Sequence, residues 1–137
     1  MKKTFRFIAL LVVAFSTLVS GSFAQEPNCK NPQSQQEMNY CAYQDYGAAD
    51  RALNKEYQRA IAFAKQIDSV LPEYLYGAEE ALRKAQRAWI PFRDAACEAE
   101  GFIARGGTME PLLVSNCLAF LTRQRTEALT NYANMGG

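Results

Sequence analysis

The stretch Ser34–Ile67, SQQEMNYCAYQDYGAADRALNKEYQRAIAFAKQI, decides the fold. Met38, Ala42, Tyr46, Ala49, Leu53, Tyr57, Ala60, Ala64 and Ile67 recur every three or four positions, the spacing of one face of an α-helix rather than of a strand. Ser34, three residues before Glu37, is a capping-box pattern: the hydroxyl accepts from the Glu37 amide while the carboxylate accepts from the Ser34 amide. The stripe predicts a helix of about 33 residues, near 50 Å long. Gly47 weakens it by about 1 kcal/mol relative to alanine, yet the stripe runs straight through.

Beyond the break Asp68-Ser69-Val70-Leu71-Pro72, a second stripe follows through Leu75, Ala78, Leu82, Ala85, Trp89, Phe92 and Ala96. Such spacing is that of a bundle helix. Glu79 with Arg83 and Glu80 with Lys84 are helix pairs in the favourable order. Pro91 removes one helical hydrogen bond, to the Arg87 carbonyl, and is expected to kink the axis. Gly101–Pro111, with Gly106-Gly107-Thr108 at its centre, reads as a loop. A third helix then carries Val114, Leu118, Leu121, Ala128 and Tyr132 on one face. Alternation is weak and β-branched residues are sparse. The expected architecture is all-α, a three-helix antiparallel up-down-up bundle.

The opposite end of the chain reads differently. Lys2, Lys3 and Arg6 precede an apolar run from Phe7 to Phe15, and Ser22-Phe23-Ala24 supplies small residues at the two positions a signal peptidase reads. Residues 1–24 are therefore expected to be a signal peptide, with residues 25–137 forming a single helical domain. The whole chain has 15 Lys+Arg and 14 Asp+Glu. Removing three cations with the signal leaves a mature domain of net charge −2. That balance argues against nucleic acid, which needs clustered cations. After Ala24 no apolar stretch is long enough to span a bilayer. Cys29 follows Glu26-Pro27-Asn28 rather than a short apolar run, so no lipid anchor is expected. The expected location is periplasmic or secreted.

Cys29, Cys41, Cys97 and Cys117 all fall in the exported part, where an even count usually means disulfides. The count alone leaves three pairings open. Up-down-up topology gathers all four cysteines at one end of the bundle. Cys29 can fold back onto Cys41, and Cys97 and Cys117 flank the glycine loop. The expected pairs are thus Cys29–Cys41 and Cys97–Cys117, each worth roughly 3 kcal/mol in the chain-entropy model. The absence of histidine removes the commonest general base and metal ligand. Without a free thiol, a nucleophile turn or a phosphate-binding glycine pattern, no catalytic constellation assembles, and neither metal nor cofactor is expected.

The most distinctive string is Gln86-Arg87-Ala88-Trp89-Ile90-Pro91-Phe92-Arg93-Asp94-Ala95-Ala96-Cys97. Arg87 and Asp94 share one helical face, and Gln86 and Arg93 share the next. Thr122 and Arg125 on the third helix and Asp50 and Asn54 on the first complete a candidate polar network. Arg125 occupies a position in its stripe that would otherwise be apolar, so it is expected to be partly buried and paired. The network either fixes helix register or binds a partner. The loop offers a second candidate: Phe102 and Ile103 are apolar, Arg105 is a cation and Thr108 closes the glycine turn. It is either a plain connector or a recognition segment held by the Cys97–Cys117 bridge. Arg51, Lys55 and Arg59 form a basic row best read as a solvated face.

Together Cys29, Glu37 to Ala42, Ala49 to Asn54, Gln86 to Cys97, Gly106-Gly107-Thr108, Cys117-Leu118 and Leu121 to Arg125 resemble the LprI-type lysozyme-inhibitor domains, small exported bacterial proteins. The resemblance covers nearly all of the mature chain; Pro91 and Thr108 depart from its pattern. It implies a non-catalytic protein whose partner is a protein, with lysozyme as the expected target. An inhibitor needs a rigid surface that fills a cleft, and Arg105 could offer a guanidinium to the cleft's carboxylates. The alternative is an envelope protein-interaction or stress protein without effect on lysozyme.

Overall fold

The computed structural model describes residues 27–136 and builds them from three helices. The expected signal peptide, residues 1–24, lies outside the described residues. Helix α1 runs Gln35–Val70, α2 Ala78–Gly101 and α3 Glu110–Ala133, with short 3-10 turns at Glu73–Leu75, Phe102–Ala104 and Asn134–Gly136. The described residues contain no strand.

Helix α1 starts where its capping chemistry places it. The Glu37 amide donates to Ser34 Oγ at 3.2 Å, and Glu37 Oε2 accepts from the Ser34 amide at 3.2 Å. Ala42, Ala49, Leu53, Ala60 and Ala64 of the predicted stripe are buried. Four of the five are alanines, so backbones can pack closely and the seam depends on shape more than bulk. The contacts along α1 also reveal the topology. Asn39 meets Thr108, Asp45 meets Arg123, Glu56 meets Thr130 and Arg59 meets Asn134, so α1 and α3 run parallel. Asp50 meets Arg93 while Lys65 meets Glu79, so α2 runs antiparallel to α1. This is the expected up-down-up bundle. The α1–α3 pairing is its most extensive interface.

Helix α2 departs from its expected stripe. Leu75 falls in the 3-10 turn and is exposed, as are Ala85 and Phe92. The buried positions are instead Gln86, Arg93, Cys97 and Gly101. The cause is the neighbouring chemistry: α1 and α3 present Tyr46, Asp50 and Arg125 to this face, and polar side chains satisfy them. Leu82 and Trp89 still pack on the core formed by Leu53, Ala60 and Leu129. The helix continues unbroken through Pro91. Of the two pairs expected on its surface, Glu79–Arg83 forms at 2.6 Å, but Glu80 bonds Arg87 rather than Lys84.

Helix α3 serves two neighbours. Ser115, Ala119, Thr122 and Leu129 are buried in one row, while Val114, Leu118, Leu121 and Arg125 are half-buried on the adjoining face. The stripe expected for this helix follows the second face, except that Ala128 is exposed.

Both disulfides join the expected cysteines. Cys29 pairs with Cys41 and Cys97 with Cys117, at Cα separations of 5.3 and 5.4 Å. Where α2 ends, Gly101 is buried so tightly that a Cβ there would lie 2.6 Å from Val114 Cγ2. The bridge and this close approach together fix α2 against the start of α3.

The break after α1 has a structure of its own. The Asp68 carboxylate accepts from the backbone amides of Gly77, Ala78 and Glu79 at 2.9, 2.9 and 3.0 Å. Those are orphan amides at the start of α2, so a residue from α1 acts as its cap. Gly77 adopts φ 151°, a conformation that favours glycine. The three amides hold the Asp68 carboxyl below the usual aspartate range.

Candidate functional site

The polar side chains singled out from the sequence separate into distinct groups. The main one centres on Arg93, which is only 7% exposed. Its guanidinium lies over the Trp89 ring, 5.1 Å from the centroid, and over the Tyr46 ring at 5.5 Å. Its Nη2 is 2.7 Å from Asp94 Oδ1, and Nη1 is 3.6 Å from Asp50 Oδ1. Asn54 donates to Asp50 Oδ2 at 3.1 Å. A buried cation is stable here because aromatic faces replace part of its hydration and carboxylates at the rim balance its charge. Burial raises the Tyr46 phenol above its usual range, although the Arg93 charge opposes the shift.

Arg125 forms a second group. Its Nε donates to Gln86 Oε1 at 3.0 Å, so its partner is an amide oxygen rather than the carboxylate expected of an ionic network. Burial makes its charged form less favourable than usual. Thr122 is fully buried on α3 and belongs to neither group: its carbonyl accepts from Thr126 Oγ1 at 2.8 Å. Arg87 stands apart, paired with Glu80 on the exposed side of α2. Asp50, Asn54, Arg93 and Asp94 are thus brought together, Arg125 joins Gln86, and Arg87 and Thr122 lie outside both groups. Sequence spacing missed Tyr46 as a member. Its aromatic ring on the first helix, at the level of Trp89 on the second, was the available signal.

The third group is the loop over the Cys97–Cys117 bridge. Phe102 and Ile103 stand on the 3-10 turn, 56% and 81% exposed. The Arg105 guanidinium sits 4.5 Å from the Phe102 ring centroid, with Nη1 2.7 Å from Glu110 Oε1. Glu110 Oε2 accepts from the Gly106 amide at 2.7 Å, which holds the Glu110 carboxyl below its ordinary range. Gly106 has φ 75°, the left-handed region. The exposed Thr108 contributes its backbone carbonyl, which accepts from Asn39 Nδ2 at 2.9 Å and ties the loop to α1. The loop is therefore fixed at three points: the disulfide, the Glu110 contacts and Asn39. Two apolar side chains project from a rigid base. Among the described residues, no group of three or more carboxylates and cysteines is placed to hold a metal ion. No described helix is long and apolar enough to cross a membrane.

Both disulfides, the Arg93 group and the loop fall inside the region matched by one family model, described as lysozyme inhibitor LprI, over residues 28–129. An uncharacterized protein of Rhizobium meliloti is 49% identical over 88% of this chain and 89% of its own length. The chain belongs to the LprI lysozyme-inhibitor family. The uncharacterized Escherichia coli protein YecT is 29% identical over 69% of this chain and 61% of its own length. No solved structure matches. Within the LprI match, the features with defined geometry are a buried cation stack, two disulfide clasps and a braced apolar loop. The final 3-10 turn, Asn134–Gly136, lies outside it.

Proposed function

We propose that the protein is an exported, non-catalytic inhibitor of a lysozyme-type muramidase and that it binds through the loop around Phe102, Arg105 and Thr108. The observation that carries this reading is the LprI match across both disulfides and the loop that Cys97–Cys117 braces. The signal-like start of the sequence and the pairing of all four cysteines support export into an oxidising compartment, periplasmic or extracellular.

Rigidity is what an inhibitor needs in place of catalytic residues. A loop ordered before binding loses little conformational entropy on docking, so more of the contact energy appears as affinity. Phe102 and Ile103 supply apolar area for a cleft wall. Arg105 is stacked on Phe102 and shares Glu110, which leaves its guanidinium aimed beside the apolar pair. Exchange of Glu110 for a carboxylate of the target would keep the cation paired throughout.

The test is titration of muramidases of several classes with oxidised mature protein carrying Phe102→Ser/Ile103→Ser or Arg105→Ala. The wild type is expected to inhibit at least one class, with inhibition weakened tenfold or more by the double change. Unaltered inhibition by both variants would show that the loop is not the binding surface. A wild type that inhibits no class would support an envelope interaction protein instead.

A further inference from the structure

The two disulfides differ in access. Cys97 is fully buried and Cys117 is 8% exposed, whereas Cys29 is exposed and Cys41 half-buried. We propose that Cys29–Cys41 is a thiol–disulfide exchange site, opened in the folded protein by the dithiol of a partner oxidoreductase. The same dithiol does not reach Cys97–Cys117. Exposure is one of the properties that separate labile bridges from structural ones.

Exchange starts when a thiolate attacks one sulfur of the bridge, so that sulfur has to be approachable from solvent. Cys29 lies in a turn ahead of α1. Hydrogen bonds in this segment are local: the Lys30 amide donates to Asn28 Oδ1, the Asn31 amide to the Asn28 carbonyl and Gln33 Nε2 to the Asn31 carbonyl, each at 3.1 Å. The segment is joined to α1 by the bridge itself and by Glu37, which accepts from the Gln33 and Ser34 amides. Cys97 and Cys117 stand instead within α2 and α3, beside the close approach of Gly101 to Val114. Reaching that bridge requires the two helices to part, an opening far larger than the fraying of a terminal segment.

The partner's thiolate bonds to Cys29 Sγ as the S–S bond breaks, and Cys41 leaves as a thiolate and takes up a proton. The partner's second thiolate then attacks its own sulfur in the mixed disulfide and releases Cys29, which is protonated in turn. Cys29 and Cys41 together gain two electrons and two protons, and the partner's dithiol is oxidised to a disulfide. The fold survives this step. The Ser34–Glu37 capping box starts α1 without the bridge, and the buried stripe begins beyond it, at Ala42. The product is a folded protein with two thiols ahead of and within α1, and with Cys97–Cys117 intact.

Timed incubation of the oxidised mature protein with reduced thioredoxin, and separately with dithiothreitol, tests this. Each sample is quenched with acid and alkylated, and the labelled cysteines are identified by peptide mass spectrometry. With both reductants, label is expected at Cys29 and Cys41 at least tenfold faster than at Cys97 and Cys117. Far-ultraviolet circular dichroism should be unchanged once the first pair has opened. Cys29→Ser/Cys41→Ser keeps the buried bridge and should oxidise no thioredoxin over the same interval. Equal rates at all four cysteines, or faster labelling of Cys97 and Cys117, would overturn the inference. Opening by dithiothreitol but not by thioredoxin would overturn it too, because a protein dithiol would then lack access. None of these readouts depends on muramidase inhibition.

Discussion

Arg93 of α2 faces Asp50 of α1 across their seam, a guanidinium nitrogen 3.6 Å from a carboxylate oxygen, with the same guanidinium stacked on Trp89 and Tyr46. Two aromatic faces and two carboxylates therefore converge on one buried cation. Replacing Arg93 by alanine removes the stack and strands both carboxylates. Because Asp50 and Asp94 remain partly in water, the cost should fall below that of a fully buried pair, at about 2 kcal/mol. Arg93→Lys keeps the charge but loses the planar fork and should lie between the two. Urea denaturation of both variants measures this.

Gly101 approaches Val114 more closely than any larger residue allows. Gly101→Ala should destabilise by about 1–3 kcal/mol through overpacking. Val114→Ala should recover part of that loss in the double variant, giving a non-additive cycle. Additive losses would mean that the two positions do not meet.

Two carboxylates give the fold an acid-sensitive edge. Asp68 and Glu110 are both lowered by backbone amides, Asp68 by those of Glu79, Gly77 and Ala78, and Glu110 by that of Gly106. A group depressed on folding stabilises above its unfolded value and loses that contribution as pH falls through its folded one. The melting temperature should therefore hold above about pH 5 and fall through pH 4 and below. Asp68→Asn should melt lower at neutral pH and show a shallower acid limb. Differential scanning calorimetry from pH 2 to pH 7 gives both slopes.

The Cys97–Cys117 bridge closes the loop between residues 20 apart. Cys97→Ser/Cys117→Ser should cost about 3 kcal/mol, and it should weaken muramidase inhibition beyond what that loss of fold explains, because the loop loses its brace. Inhibition measured well below the melting temperature separates the two effects. Full inhibition by this variant would show that the loop needs no clasp.

Sequence and structure agree where one residue's environment is set by its own helix. The α1 stripe was legible because alanine, leucine and tyrosine repeat at helical spacing, and Ser34 and Glu37 are neighbours that cap each other. The α2 seam was not, because Gln86 and Arg93 look like surface residues until α1 and α3 supply Tyr46, Asp50 and Arg125. Phe92 looked like core for the converse reason. Asp68 was read as part of a break, since its amide partners lie nine to eleven residues away and meet it only after the chain turns. Of the candidate site, the loop's apolar pair and cation were visible in the sequence. Its attachment through Glu110 and Asn39 was not, because both are contacts between elements.

Inhibition of a lysozyme-type muramidase by this LprI domain is read without intermediary in a turbidity assay of bacterial cell-wall suspensions. Lysis should slow in proportion to added oxidised mature protein for at least one lysozyme class, with inhibition lost when both disulfides are reduced. Undiminished lysis of every class at micromolar protein with both disulfides intact would contradict it.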